Sequence, residues 1–387
     1  MRFYCNTFSF FIPLVYDLLD IVDLNLVDEL EESTNIQKNS YYITSFFEFT
    51  QNNKIKDIIL SNNFLKIIVD CSQEGNSDIG EFEPFFNFYK QNSLDINNLI
   101  FVTNNSNINK LTKFDFRDYN FNVIHYPGFF NIFNEPMNTS KHLIQKTNWI
   151  VDLNKNSIEY LNIDDLKSKS PTTDFLVLNR TVKSHKLKFL EKLWLKNFFS
   201  EYDIRYTLLN MNCDYKEFNM DFRKYIFGPL GDNFKKTLPD EINLLPKRQI
   251  GYDGLNPKWL FDSKVNLVTE SIYTDDEYRY SDVIHISEKT WRCLSHGVPF
   301  VVISTKNTLK KIREYGFKTF NTCIDESYDE MSDDIRMDGV IKAAKELLEK
   351  WDSEEVQKIC HYNRELYKNK KHKRKWIQDN FLNYLDN

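Results

Sequence analysis

The sequence predicts an α/β protein with parallel sheets, divided into two units. Three observations support this. Short apolar runs alternate with amphipathic stretches along the whole chain, the order that lays helices over parallel strands. The 387 residues suffice for two ordinary domains, each with its own core. A polar, small-residue break with one proline, Leu166-Lys-Ser-Lys-Ser-Pro-Thr-Thr173, falls near the middle and reads as a linker. The resulting units are 1–168 and 172–350, followed by a charged, amphipathic segment over 351–387.

In the first unit, Ile58–Leu60, Leu65–Cys71, Leu99–Thr103 and Asn122–His125 read as strands, because each apolar run ends in polar or turn residues. The phenylalanine-rich stretch 80–92 reads as a helix packed on that sheet. Phe8–Leu19 is apolar, but Pro13 and Asp17 interrupt it and no small-residue cleavage site follows. It reads as a buried segment rather than a signal peptide.

The second unit opens with a strand, Asp174–Leu178, followed by Asn179-Arg180. A helix over 186–200 places Leu187, Leu190, Leu193, Trp194 and Phe198 on one face. Residues 211–262 show few strong periods and read as an insertion or a set of short helices. A strand, Val265–Thr269, leads into Glu270-Ser271. Ser287 can cap a helix whose first turn carries Glu288, and Gly297 and Pro299 end it. The strand Phe300–Ile303, a helix over 306–315 that stops at Gly316, and a last long helix over 338–350 follow.

Composition narrows the function. Aromatic residues make up 15% of the chain, with 32 Phe and 21 Tyr, which argues against disorder. A net charge of −6 argues against a protein that coats nucleic acid, while leaving room for a local basic face. Abundant Asn, Lys, Ile and Phe fit an AT-rich genome such as a viral one. The six cysteines stand singly, with no C-x-x-C pair or metal-ligand spacing, which fits a reducing, cytoplasmic compartment. No run of 18 apolar residues occurs, so no transmembrane helix is expected.

The residues with chemistry cluster at predicted strand ends. Ser287-Glu288-Lys289 puts a carboxylate and an ammonium at a helix N-terminus, an arrangement suited to a ligand with both a sugar diol and a phosphate. Asn179 and Arg180 fall between a strand and a helix, at the carboxyl edge where parallel sheets bind ligands. Arg180 neutralises a diphosphate, caps a helix or pairs with a surface acid, and His185 and Lys186 can add to a phosphate site. Glu270 stands at another strand end. The loop Tyr273–Ser281 covers a sugar or is solvated. In the first unit, Glu74 and then Asp70 are candidates for a general base, unless Asp70 caps the following turn and Glu74 is solvated; His125 is a third. The basic tail Lys368–Trp376 either contacts an anionic acceptor or forms a solvated helix face.

Several of these motifs stand together: Ser287-Glu288-Lys289-Thr290-Trp291, Gly297-Val298-Pro299-Phe300, Leu309-Lys310-Lys311-Ile312-Arg313, Gly316-Phe317-Lys318-Thr319-Phe320 and Asp325-Glu326-Ser327-Tyr328-Asp329. Together they resemble the nucleotide-sugar half of GT-B-type glycosyltransferases, in particular a phage, viral and bacterial group related in pattern to the fucosyltransferases. The resemblance covers about the C-terminal half, and Ser287 stands where the group has threonine. It implies a GT-B-like fold of two Rossmann-like domains facing a central cleft, with the terminal segment crossing back to the first. It implies transfer of a sugar from a nucleotide-sugar donor to an acceptor hydroxyl, with inversion; no isolated Asp-x-Asp follows a predicted strand, so chemistry without a metal or other cofactor is expected. The acceptor would be a glycan or a similar hydroxyl compound. Alternatives are a glycosyltransferase acting on a hydroxylated DNA base and a non-catalytic nucleotide-sugar-binding protein. By resemblance, Asn179, Arg180, His185, Lys186, Glu270, Ser287, Glu288 and Lys289 hold the donor, and Glu74 or Asp70 serves as base. The Asp325–Asp329 box marks the group without a role that its residues disclose.

Overall fold

The structure is a computed structural model describing residues 1–5, 14, 18, 22, 24–26, 36–71, 82–105, 122–127, 170–211, 219, 221–222, 258–273 and 284–386. The Glu74 candidate, the loop after Tyr273, most of Phe8–Leu19 and most of 211–262 lie outside the described residues.

Among the described residues two fully parallel sheets form. The first contains β1 (Arg2–Cys5), β2 (Leu24–Leu26), β3 (Ser40–Ser45), β4 (Lys66–Cys71), β5 (Leu99–Thr103) and β6 (Asn122–His125), in the order β2-β1-β3-β4-β5-β6. Its helices include α1 (Phe46–Gln51), α2 (Asn53–Ser61) and α3 (Glu83–Gln91). The second sheet follows β7 (Thr173–Val182), α4 (Ser184–Leu195), α5 (Phe198–Glu201), β8 (Ile204–Met211), α6 (Lys258–Phe261), β9 (Ser263–Thr269), α7 (Glu288–His296) and β10 (Phe300–Ile303), with strand order β8-β7-β9-β10. Both sheets therefore share one winding: the chain starts centrally, steps to one side, then crosses back and grows the other way. Such a reversal opens a crevice at the carboxyl ends of the two inner strands, between β1 and β3 in one sheet and between β7 and β9 in the other.

The expected fold class is the one observed, a GT-B-like α/β protein of two Rossmann-like units. Asn104, directly after β5, donates its side-chain amide to the Ile286 carbonyl just before α7, at 3.0 Å. The carboxyl edges of the two sheets thus meet across this contact.

Alternation along β3 and β4 splits the first core in two. Tyr42, Ile67, Val69 and Phe101 face α1–α3, where Ile55, Ile58, Ile59, Phe85 and Phe86 cover them. Tyr41, Ile43, Ile68, Ile100 and Val102 face the other way and are covered from the far end of the chain. After α8 (Thr308–Glu314), α9 (Asp333–Lys350) and α10 (Glu354–Lys368), the terminal α11 (Lys370–Ile377) and α12 (Asn383–Asp386) bring Ile377, Phe381, Leu382 and Leu385 onto that face. Tyr41 donates its hydroxyl to the Leu385 carbonyl at 2.8 Å. The basic tail is this helix: Lys373 is buried with its ammonium 4.3 Å from the Tyr367 ring centroid, while Lys370, Lys371, Arg374 and Lys375 are exposed.

The second core gathers around Trp291, with Leu187, Leu190, Val265, Val302 and Tyr367 in the same cluster. Gly297 ends α7 at φ 64°, and a Cβ there would stand 2.5 Å from the Cys360 carbonyl oxygen on α10. Glycine allows both the left-handed turn and this close approach.

Three local expectations need correction. Ile58–Leu60 is not a strand but the last turns of α2; Ile55, Ile58 and Ile59 are buried on one face at helical spacing, a period that outweighs a three-residue apolar run. The helix expected over 186–200 is two, α4 and α5, separated at Asn197, which adopts φ 59°. Asn179 and Arg180 do not follow the strand; β7 runs on to Val182 because β8 pairs with it as far as Met211. β1, β2, β3 and β8 are strands that no pattern in the sequence marks.

Candidate functional site

The candidate site lies at the switch point of the second sheet, where β7 and β9 end and α4 and α7 begin. Thr269 donates its hydroxyl to Asn179 Oδ1 at 2.5 Å and joins the two strand ends. Both residues are buried. Ser287 is the N-cap of α7, in extended conformation, and its hydroxyl oxygen accepts from the Lys289 backbone N–H at 3.3 Å.

Glu270 sits beneath this helix start with no exposed surface. Its carboxylate accepts the Ser287 N–H at 3.2 Å and the hydroxyls of Ser287 and Thr290. Four N-terminal N–H groups of a helix need partners, and here a neighbouring strand supplies one of them. Glu270 therefore fixes where α7 starts. His185 serves the same scaffold: its Nε2 lies 3.0 Å from the Glu270 carbonyl oxygen, and its ring stacks on Tyr273 at 5.8 Å.

Glu288 and Lys289 form the outer, half-buried layer. Their side chains keep 21% and 18% of their surface, and Lys289 Nζ stands 2.9 Å from Glu288 Oε1 and 3.0 Å from Ser287 Oγ. Burial pushes the Glu288 carboxyl up, but the Lys289 ammonium and the Arg292 guanidinium outweigh it and hold the group at about 2. Burial pushes the Lys289 ammonium down, and Glu288 with Glu270 more than reverses this. The pair stays ionised through the neutral range.

Lys186 differs. It is 3% exposed, in the first turn of α4. Among the described residues no hydrogen bond or ion pair closes on its ammonium. Burial, with Lys289 and Lys183 close by, lowers it to about 7 against the opposing pull of Glu270 and Glu288. Lys183, just before α4, donates to the Ser271 carbonyl at 2.9 Å. Three ammonium groups thus converge on two carboxylates at two helix starts. Such a cluster has positive charge to spare for an anion and one carboxylate, Glu288, near the surface for hydroxyl groups.

The structure brings Asn179, His185, Lys186, Glu270, Ser287, Glu288 and Lys289 together. Arg180 lies on the same strand end, its side chain outside the described residues. Lys183 and His285 belong to the site and carried no signal in the sequence: a lysine before a helix and a histidine before a cap have no pattern of their own.

In the first unit Asp70 lies at the carboxyl end of β4, paired with Val102 of β5, two residues before Asn104. It is 3% exposed, and its Oδ2 accepts the Leu14 backbone N–H at 3.1 Å. His125, at the end of β6, meets the Tyr315 hydroxyl at 3.2 Å in a stacked contact, and burial, together with Lys311, lowers it to about 3. Such an imidazole is a weak base.

The Asp325–Asp329 box has a structural role. Asp329 accepts the Leu309 and Lys310 N–H groups at 3.0 and 3.1 Å and so caps α8 from a distance. Glu326 accepts the Phe320 N–H at 2.7 Å and the Thr319 hydroxyl at 2.6 Å, and pairs with Arg313 at 3.0 Å. The Arg313 and Gly316–Phe320 motifs and the acidic box are thus one interlocked unit behind β10.

No protein-family model matches the chain, and no curated protein sequence matches it. Among solved structures it is similar to the GtfA/B complex, with 9% identity and a TM-score of 0.39, over 92% of this chain and 59% of that one. It is similar to a mutant of S. aureus TarM in complex with Fondaparinux, alpha-GlcNAc-glycerol and UDP, with 12% identity and a TM-score of 0.40, over 90% of this chain and 55% of that one. It is also similar to S. aureus MnaA in a co-structure with UDP, with 13% identity and a TM-score of 0.41, over 100% of this chain and 97% of that one. The chain thus spans less than two thirds of the length of the first two.

Proposed function

We propose that the protein transfers a sugar from a nucleotide-sugar donor to an acceptor hydroxyl. One observation carries this reading. An ionised Glu288–Lys289 pair stands at a capped helix start, at the switch point of a parallel sheet, opposite the carboxyl edge of a second such sheet. Glu288 accepts the two ribose hydroxyls. Lys289, Lys186 and Lys183, with Arg180 from the end of β7, hold the diphosphate. Those same cations offset the charge that grows on the diphosphate as its bond to the sugar breaks, which is the larger catalytic effect expected in such a site.

The acceptor binds on the first unit, across the seam. Its hydroxyl loses a proton to a carboxylate while its oxygen bonds to the anomeric carbon. The diphosphate departs with the bonding pair on the opposite side, and the configuration inverts. Asp70 is occupied with the Leu14 backbone, so Glu74, four residues on, is the base in this reading. The cations at the helix starts do the work of a metal. The acceptor is a glycan.

Calorimetry against nucleoside diphosphates and nucleotide sugars tests the reading. Glu288→Ala and Lys289→Ala should each weaken binding by about 1.5–3 kcal/mol, the scale of a lost charge-assisted hydrogen bond. Unchanged affinity in both variants would remove the pair from the donor site.

A further inference from the structure

His285 stands two residues before the α7 cap and has no part in the charge cluster described above. It is 2% exposed, and its Nδ1 is buried without a hydrogen-bond partner among the described residues. A buried polar atom left unpaired forfeits its hydration without recompense, so native proteins seldom keep one without a use. The two residues that follow are paired. Ile286 receives the Asn104 amide from the first unit at 3.0 Å, and Ser287 is held by Glu270. The histidine is thus fixed in the seam where the two carboxyl edges meet, on a backbone tied from both sides.

We propose that His285 is a specificity-determining residue that hydrogen-bonds a hydroxyl of the transferred sugar. The proposal rests on the nucleotide-sugar reading of the site. The charged groups there already match the charged and diol parts of such a donor. A neutral ring with one donor and one acceptor nitrogen matches what remains, an uncharged polyol at the border of the two units. Burial, with Lys289 and Lys183 nearby, lowers the imidazole to about 4 against the pull of Glu288, so the ring is neutral at physiological pH. A site that has already desolvated its polar atom discriminates strongly between a sugar that pairs with it and one that lacks the hydroxyl.

The test compares wild type, His285→Phe and His285→Asn by thermal melting without ligand and by calorimetry. The ligand pairs are UDP with UDP-glucose, UDP with UDP-N-acetylglucosamine, and GDP with GDP-mannose. Phenylalanine keeps the ring shape and removes the orphan atom, so the ligand-free variant should melt at or above the wild-type temperature. For the nucleotide sugar that wild type binds tightest, His285→Phe should lose about tenfold in affinity, while the parent diphosphate stays within about twofold. His285→Asn, whose amide reaches the Nδ1 position, should recover part of the loss. Two results overturn the proposal while leaving the donor site standing. One is an equal effect, or none, on diphosphate and nucleotide sugar. The other is that both variants melt below wild type or fail to fold, which marks a core histidine. Wild-type protein that binds none of these ligands overturns the nucleotide-sugar reading and this proposal with it.

Discussion

Removing the Glu270 carboxylate separates a group that positions the site from one that touches the ligand. The side chain accepts three hydrogen bonds, from the Ser287 N–H, the Ser287 hydroxyl and the Thr290 hydroxyl, and none of its surface is exposed. Glu270→Ala leaves all three donors in a buried helix start. Bonds to a charged acceptor are worth about 1.5–3 kcal/mol each, and their sum is an upper bound because hydroxyls rotate and water enters the vacated space. A loss of about 3–5 kcal/mol is expected for Glu270→Ala, and about 1–2 kcal/mol for Glu270→Gln, which keeps its shape but loses charge assistance and turns one accepting oxygen into an NH2 donor, to which the Ser287 hydroxyl must rotate. Denaturant unfolding, followed by a probe in the second unit such as Trp291 fluorescence, reads both numbers. Nucleotide affinity should fall in proportion to the disturbance of α7, and Glu270→Gln should retain most of it. Unchanged stability in Glu270→Ala combined with abolished binding would refute the reasoning, since the carboxylate would then be a direct ligand group.

Two further predictions concern charge and capping. Lys186 titrates at about 7 in the folded protein and near 10.5 when exposed, so the unfolded chain binds more protons in between; this group should add stability as pH rises from 7, at up to about 1.4 kcal/mol per pH unit. Diphosphate affinity should move the opposite way, weakening above pH 7 as the ammonium is lost, and Lys186→Arg should flatten that profile; an unaltered profile in the variant would show that another group titrates. Asp329→Ala should cost about 1–2 kcal/mol by uncapping α8, with nucleotide affinity unchanged by calorimetry; a selective loss of binding would return the acidic box to the site.

The sequence by itself determined the elements whose signals are local. Ser287 as cap, Glu288 in the first turn, Gly297 as terminator and the apolar run Phe300–Ile303 all sit where their chemistry places them, because caps, left-handed glycines and buried parallel strands are decided within a few residues. Leu99–Thr103 and Asn122–His125 were legible for the same reason. Tertiary structure decided what depends on distant partners. β3 is rich in Ser, Tyr and Thr, yet all but its last residue are buried, because α12 closes over one face and α1–α3 over the other. Arg180 belongs to a strand because β8 extends the ladder past it. Glu270 anchors the start of α7, and Glu326 and Asp329 of the acidic box turn inward to backbone N–H groups. A carboxylate looks alike in sequence whether it meets a solute or an orphan amide. Only the packing that brings β9 under α7, and the box under α8, decides which donor it meets.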